Sequence, residues 1–144
     1  MSSQTKFMGD GSIALFLAWL VALGATLGAL FIGEVLHQTP CVLCWYQRIA
    51  MFPLALILGI ACLRDDLSIG IYVIPVALAG TAIALWHSLI YFDIAPAAIV
   101  PCEQGPSCQG ANMEVFGLPI PLLSLGAFAM IILLLSHGKQ GQSR

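Results

Sequence analysis

The stretch IALFLAWLVALGATLGALFI, residues 13–32, carries no charged side chain. About 20 apolar residues rising 1.5 Å each match the roughly 30 Å hydrocarbon core of a bilayer, so this stretch is expected to cross a membrane as a helix. Three more apolar stretches follow at residues 45–63, 69–92 and 118–136, divided by Pro, Gly and charged punctuation. The expected fold is therefore all-α: an integral membrane bundle of four transmembrane helices, one membrane domain over residues 1–144 with connecting loops at 33–44 and 93–117. Pro53 and Pro75 lie inside the second and third stretches, where neighbouring helices can re-satisfy the freed carbonyls. Pro119 and Pro121 suit the opening turn of the fourth. Gly24 and Gly28 form a GxxxG spacing, expected to be a helix-packing face.

Composition agrees with a membrane setting. Of 144 residues, 60% are hydrophobic and only 8% charged, against about 25% charged in a soluble domain. Five basic and seven acidic residues leave a net charge of -2, so there is no basic patch for nucleic acid. The first apolar stretch exceeds the usual signal-peptide core of about 7–15 residues and is expected to be a retained anchor. An even number of spans puts both termini on one side, where Lys6, Lys139 and Arg144 join Arg64. The positive-inside rule makes that side cytoplasmic. The loop at 93–117 carries Asp93, Glu103 and Glu114 and no Lys or Arg, as suits the opposite, extracytoplasmic face. Trp45, Tyr46, Trp86, Tyr91 and Phe92 are expected to gather at that outer interface.

The five cysteines sort by side under this topology. Cys41 and Cys44 precede the second span, and Cys102 and Cys108 follow the third, so both pairs fall on the exported face. Cys62 lies 18 residues beyond Cys44, about 27 Å along a helix, and is expected to be a buried bystander near the cytoplasmic side. Two exported pairs could be structural staples, a zinc site or a redox relay. A C-x-x-C loop is too short to add much stability and is the spacing of exchange-active pairs. C-x5-C lies outside the common zinc-ligand spacings, and no metal is expected. Trp45 after Cys44 rules out the C-x-x-C-H haem attachment.

Pro40 and the apolar run beyond it place the first pair near a helix N-terminus, whose partial positive charge favours a thiolate. Arg48 stands four residues past Cys44, on the same helical face, where a guanidinium would stabilise a thiolate or a reduced acceptor. His87 falls toward the outer end of the third span and is a candidate proton or hydrogen-bond donor at the bilayer edge. With no dinucleotide fingerprint and no haem motif, elimination leaves an acceptor delivered by the membrane, and a lipid-soluble quinone exchanges the same two electrons and two protons as two thiols.

The run CVLCWYQR, residues 41–48, resembles the C-x-L-C-x-x-x-R signature of the DsbB family of membrane thiol oxidases. Extended through Ile49 to Leu54, with the short loop from Pro101 and Cys102 to Cys108 and with Phe116-Gly117, the chain is most similar to the compact BdbC-type branch. The resemblance implies a four-helix protein of the bacterial cell membrane, with its cysteine loops on the extracytoplasmic face. It also implies that the protein reoxidises a thioredoxin-like exported dithiol oxidant and passes the electrons to ubiquinone or menaquinone. Position by position, it implies redox-active disulfides Cys41–Cys44 and Cys102–Cys108. Cys102 would meet the partner, Cys108 would exchange with Cys41, Cys44 would face the quinone, and Arg48 and His87 would support the quinone site. Two other classes fit parts of the pattern: a vitamin-K-epoxide-reductase-like quinone reductase, and a non-enzymatic membrane subunit with structural disulfides. The position of Cys41 and Cys44 before the second helix argues against the first of these.

Overall fold

The computed structural model describes residues 9–96, 108 and 113–142. Helix α1 (Asp10–Leu30) runs on through a π-helical turn, Phe31–Val35, and α2 (Val42–Arg64) follows a short loop. A 3-10 turn, Leu67–Ile69, leads into α3 (Gly70–Tyr91); strands β1 (Glu114–Val115) and β2 (Leu118–Pro119) then precede α4 (Ile120–Gln142). Among the described residues, four helical segments are long and apolar enough to cross a membrane: Asp10–Val35, Val42–Arg64, Leu67–Tyr91 and Ile120–Gln140.

The helices pack in a ring. α1 lies against α2 and α4, and α3 against α2 and α4. The starting end of α1 and the finishing end of α4 meet, since a Cβ added at Gly11 would touch the carbonyl of Gly138. The α2–α3 turn sits at that same end, where the Ser12 hydroxyl donates to Asp65 at 2.6 Å. Asp65 takes a left-handed conformation (φ 51°), and the Asp66 amide closes the helix by donating to the Ala61 carbonyl at 3.0 Å. The Asp66 carboxylate then accepts from the Ser68 hydroxyl and amide, and those bonds hold it below the usual carboxylate range.

At the other end β1 and β2 form a tight hairpin, with Glu114 opposite Pro119 and Val115 opposite Leu118. Its loop is Phe116-Gly117, both with positive φ (54° and 77°), as a two-residue hairpin whose twist matches its strands requires. The Tyr91 hydroxyl donates to Glu114 and ties the hairpin to the end of α3. Pro119 therefore belongs to a strand and not to the opening turn of the fourth helix; the pairing with Glu114 claims it, and Pro121 alone lies in that turn.

Burial is divided into two clusters. The larger runs along the bundle and includes Leu15, Leu54, Leu58, Val73, Phe128 and Ile131. The smaller sits at the hairpin end and consists of Cys41, Leu43, Cys44, Ile90, Ala95, Cys108 and Met113. The expected packing role of Gly24 and Gly28 is corrected, because a Cβ at either would meet nothing within 4 Å. Close approach occurs instead at Gly80, where a Cβ would overlap the Phe128 ring, and at Gly59, where it would lie 2.8 Å from the Trp19 indole nitrogen.

Candidate functional site

The smaller cluster carries the chemistry. The helical run from α1 ends at Val35, with His37 left-handed just beyond (φ 52°), and after Pro40 Cys41 becomes the N-cap of α2 with extended backbone (φ -72°, ψ 170°). Cys44 then falls in the first turn, and the two sulfurs lie 3.2 Å apart, within reach of a thiol hydrogen bond. Both side chains are buried, Cys41 completely. Cys108 is buried in the same cluster. Cys102 lies outside the described residues, and Cys62 is half-buried near the far end of α2.

His87 reaches the pair from α3. It is fully buried, with Nε2 3.7 Å from the Cys41 sulfur and Nδ1 3.1 Å from Nε2 of Gln47. Gln47 in turn accepts from the Ser124 hydroxyl of α4 at 2.6 Å. Hydrogen bonding from Cys44, seconded by His87, holds the Cys41 thiol well below the ordinary thiol range against the opposing effect of burial. In the dithiol form, Cys41 is thus the sulfur arranged to carry negative charge.

Arg48 continues along α2 from Cys44. Its Nη2 donates to the Ala29 carbonyl at 2.7 Å, and its guanidinium lies 5.5 Å from the Trp45 ring centroid. Ala29 is in the turn just before the π-helical segment Phe31–Val35. Within that segment Gly33 faces the guanidinium so closely that a Cβ would lie 3.2 Å from Nη2. π-helical turns inside α-helices are often associated with functional sites; here the turn and its glycine make room for a cation.

A cavity of about 400 Å³ lies between α1, α2 and α4, within the range of small-molecule sites. Its walls are mostly apolar, with Gly24 and Gly28 on one side and Met51, Leu123 and Phe128 on the others. Gln38, Cys44, Gln47, Arg48 and Ser124 supply its polar groups. Leu20, Gly24 and Leu123 on its border are exposed, so it opens through the side of the bundle. Oε1 of Gln38 is buried without a hydrogen-bond partner among the described residues, and a buried polar atom of that kind calls for an external one. His87 does not line the cavity; Gln47, which bonds it, does.

Cys41, Cys44 and His87 bring three donor atoms within 4.8 Å of one another, a grouping that could hold a metal ion. A tetrahedral zinc with Zn–S bonds of about 2.3 Å would separate its sulfurs by about 3.8 Å. The 3.2 Å observed is the spacing of a thiol hydrogen bond.

The structure therefore gathers Cys41, Cys44, Cys108, Arg48 and His87 at one end of the bundle. Gln47 and Ser124 complete the site and were not singled out by the sequence. Gln47 had a usable signal: an uncharged amide in an apolar span, three residues past Cys44 and on its face, must find a polar partner inside the protein. Ser124 had none, because serines commonly bond their own helix.

Comparison with known proteins follows from these features. Residues 11–137 match the family model described as the disulfide bond formation protein DsbB. The chain is 54% identical over 123 residues to a probable disulfide formation protein of Metapseudomonas resinovorans, covering 84% of this chain and 85% of that one. It is 43% identical over 127 residues to disulfide bond formation protein C of Bacillus subtilis, with 88% and 92% covered. It is 42% identical over 135 residues to a probable disulfide formation protein of Deinococcus radiodurans, with 88% of each covered. No solved structure matches significantly.

Proposed function

Because the chain belongs to the DsbB family of disulfide bond formation proteins, we propose that it is a membrane thiol oxidase that reoxidises a thioredoxin-like exported dithiol and delivers the electrons to a membrane quinone. The family and its four apolar helices make it a multi-pass membrane thiol-disulfide oxidoreductase. The observation that carries the finer reading is the division of labour around one cysteine pair. Cys44 shares a cavity wall with Arg48 and Gln38, whereas Cys41 does not line the cavity and meets His87 instead; both belong to the buried cluster that holds Cys108.

The cavity suits a quinone. It is apolar, open to the side from which a lipid-soluble ligand arrives, and polar beside Cys44, with Arg48, Gln38 and Gln47 within it. A bound quinone takes up two electrons and two protons. The chain's own residues do the rest. Thiolate attack by the partner on the Cys102–Cys108 disulfide releases two thiols there and leaves the partner oxidised. A second exchange passes the same two electrons to the Cys41–Cys44 disulfide and re-forms the loop disulfide. Arg48, anchored by the Ala29 carbonyl, supplies positive charge beside Cys44, and His87 holds a proton against Cys41. In this reading the ends of α1 and α4 face the cytoplasm with Arg64 and Lys139, and the cysteine cluster faces outward, in a bacterial cell membrane.

The test is a purified-protein assay in lipid nanodiscs with a reduced thioredoxin-like partner and either ubiquinone or menaquinone, following partner thiols. Wild type oxidises the partner over many turnovers only when quinone is present, and mass tagging traps both cysteine pairs cycling. If Cys44→Ser retained quinone-dependent oxidation, the assignment of Cys44 would be wrong. If both pairs stayed oxidised against reduced partner, the oxidase reading itself would fail.

A further inference from the structure

The hydrogen bonds behind Cys41 have a direction. The Ser124 hydroxyl has one hydrogen and two acceptors within reach, Gln47 Oε1 at 2.6 Å and the Pro121 carbonyl at 3.1 Å. The shorter contact takes the hydrogen, and it fixes the Gln47 amide with its oxygen toward α4 and its NH2 toward α3. That NH2 lies 3.1 Å from Nδ1 of His87. A nitrogen that accepts a hydrogen bond carries no proton, so the imidazole proton of the neutral ring must sit on Nε2, the atom 3.7 Å from the Cys41 sulfur. All three side chains are at least half-buried, with Gln47 and His87 essentially excluded from the surface, so there is little bulk water to substitute for a lost link.

We propose that Gln47 and Ser124 are positioning residues that lock His87 in the Nε2–H tautomer, with that N–H directed at Cys41. The lock spans three helices: Ser124 from α4, Gln47 from α2 and His87 from α3. Its alternative is a complete reversal. If Ser124 donated to Pro121 instead, Gln47 would turn over, His87 would carry its proton on Nδ1, and Nε2 would accept from a neutral Cys41 thiol. The Ser124 hydroxyl thus selects, through two intermediaries, whether Cys41 faces a donor or an acceptor. Two of the links, Gln47 and Ser124, also line the cavity, so the chain joins the buried sulfur to the wall where an acceptor would sit. The inference rests on reading Cys41 and Cys44 as a redox pair, but its test requires neither partner nor quinone.

The experiment uses the full-length dithiol protein in nanodiscs. Nitrogen-15 resonances of His87 report which ring nitrogen is protonated, and ultraviolet thiolate absorbance reports the charge on the pair as pH is varied. The titratable groups around Cys41 in that measurement are Cys44 on α2, His87 on α3 and Cys108 in the loop, and Cys62 and Cys102 also absorb as thiolates, so spectra of a background with Cys62→Ser, Cys102→Ser and Cys108→Ser isolate the pair. Wild type should show protonated Nε2 and bare Nδ1. Ser124→Ala and Gln47→Leu should each mix the tautomers and leave about tenfold less thiolate at a given pH, a shift of about one pH unit. Ser124→Thr, which keeps the hydroxyl, should restore both signatures. A protonated Nδ1 in the wild type would overturn the proposal even if every variant misfolded, as would unchanged spectra in both Ser124→Ala and Gln47→Leu. Failure of partner oxidation with these signatures intact would instead count against the oxidase reading alone.

Discussion

Replacing Gly24 by Leu separates two roles for the glycine face of α1. The side chain would enter open space, since no atom lies within 4 Å of a Cβ at that position, and would project into the cavity that Gly24 borders. It adds four carbon atoms, roughly 120 Å³ at about 30 Å³ for each water-sized group, against about 400 Å³ of cavity. Displacing two methylene-sized pieces of a bound quinone costs about 1.6 kcal/mol at about 0.8 each, so KM for quinone should rise about fifteenfold. Folding should not suffer, because exchanging a mid-helix Gly for a good helix former gains about 0.5–1 kcal/mol. The assay is steady-state oxidation of the reduced partner over a quinone titration in nanodiscs, paired with a thermal scan. In a single-turnover mixture without quinone, exchange between the partner and the oxidised protein should keep its wild-type rate. A lower melting temperature with unchanged quinone KM would refute the reasoning, since overpacking at a true helix contact costs about 1–3 kcal/mol and would leave the acceptor site untouched.

Two further outcomes are expected. Gly80→Ala should destabilise the bundle by about 1–3 kcal/mol, because the new Cβ overlaps the fully buried Phe128 ring; a denaturation midpoint equal to wild type would contradict the α3–α4 contact. The depressed Cys41 thiol makes the dithiol protein pH-sensitive. Its folded state releases the proton at lower pH than the unfolded chain does, so this stabilisation is full above the ordinary thiol range and is lost as pH falls through the folded value. Thermal scans should therefore show the dithiol form gaining on the disulfide form as pH rises toward that range, and Cys41→Ser should abolish the trend.

The four spans were legible because length and hydropathy alone decide them, and the cysteines and Arg48 because charge and sulfur are scarce in so apolar a chain. The contacts between helices were not. Gly24 and Gly28 carry the familiar spacing yet border a cavity, while the tight approaches fall on Gly59 and Gly80, which stand alone in sequence. Spacing identifies a small face but not whether a helix or an empty volume lies opposite it. The π-helical turn at Phe31–Val35 was equally hidden, and so was the Arg48 guanidinium that lies against its Gly33, a contact between residues on different helices. His87 was found by residue type, but its direction was not: the expectation aimed it at the acceptor, whereas Gln47 and the Cys41 sulfur claim both of its nitrogens. The helix terminus and Arg48 beside Cys44 were visible in the sequence, whereas the contacts of the Cys41 sulfur with Cys44 and His87 were not.

Cys41 has no exposed surface at all, and that seclusion governs which molecules may trade electrons with it. Packed in one cluster with Leu43, Ile90 and Met113, the Cys41 sulfur offers no surface to a small thiol in the surrounding medium. Cys108 belongs to the same buried cluster, so it is placed among the described residues to exchange with the pair without passing through the medium. If the protein is the quinone-coupled oxidase proposed above, this cap of the bundle would act as electrical insulation, keeping the acceptor pool from short-circuiting into whatever reductant is abundant in the medium.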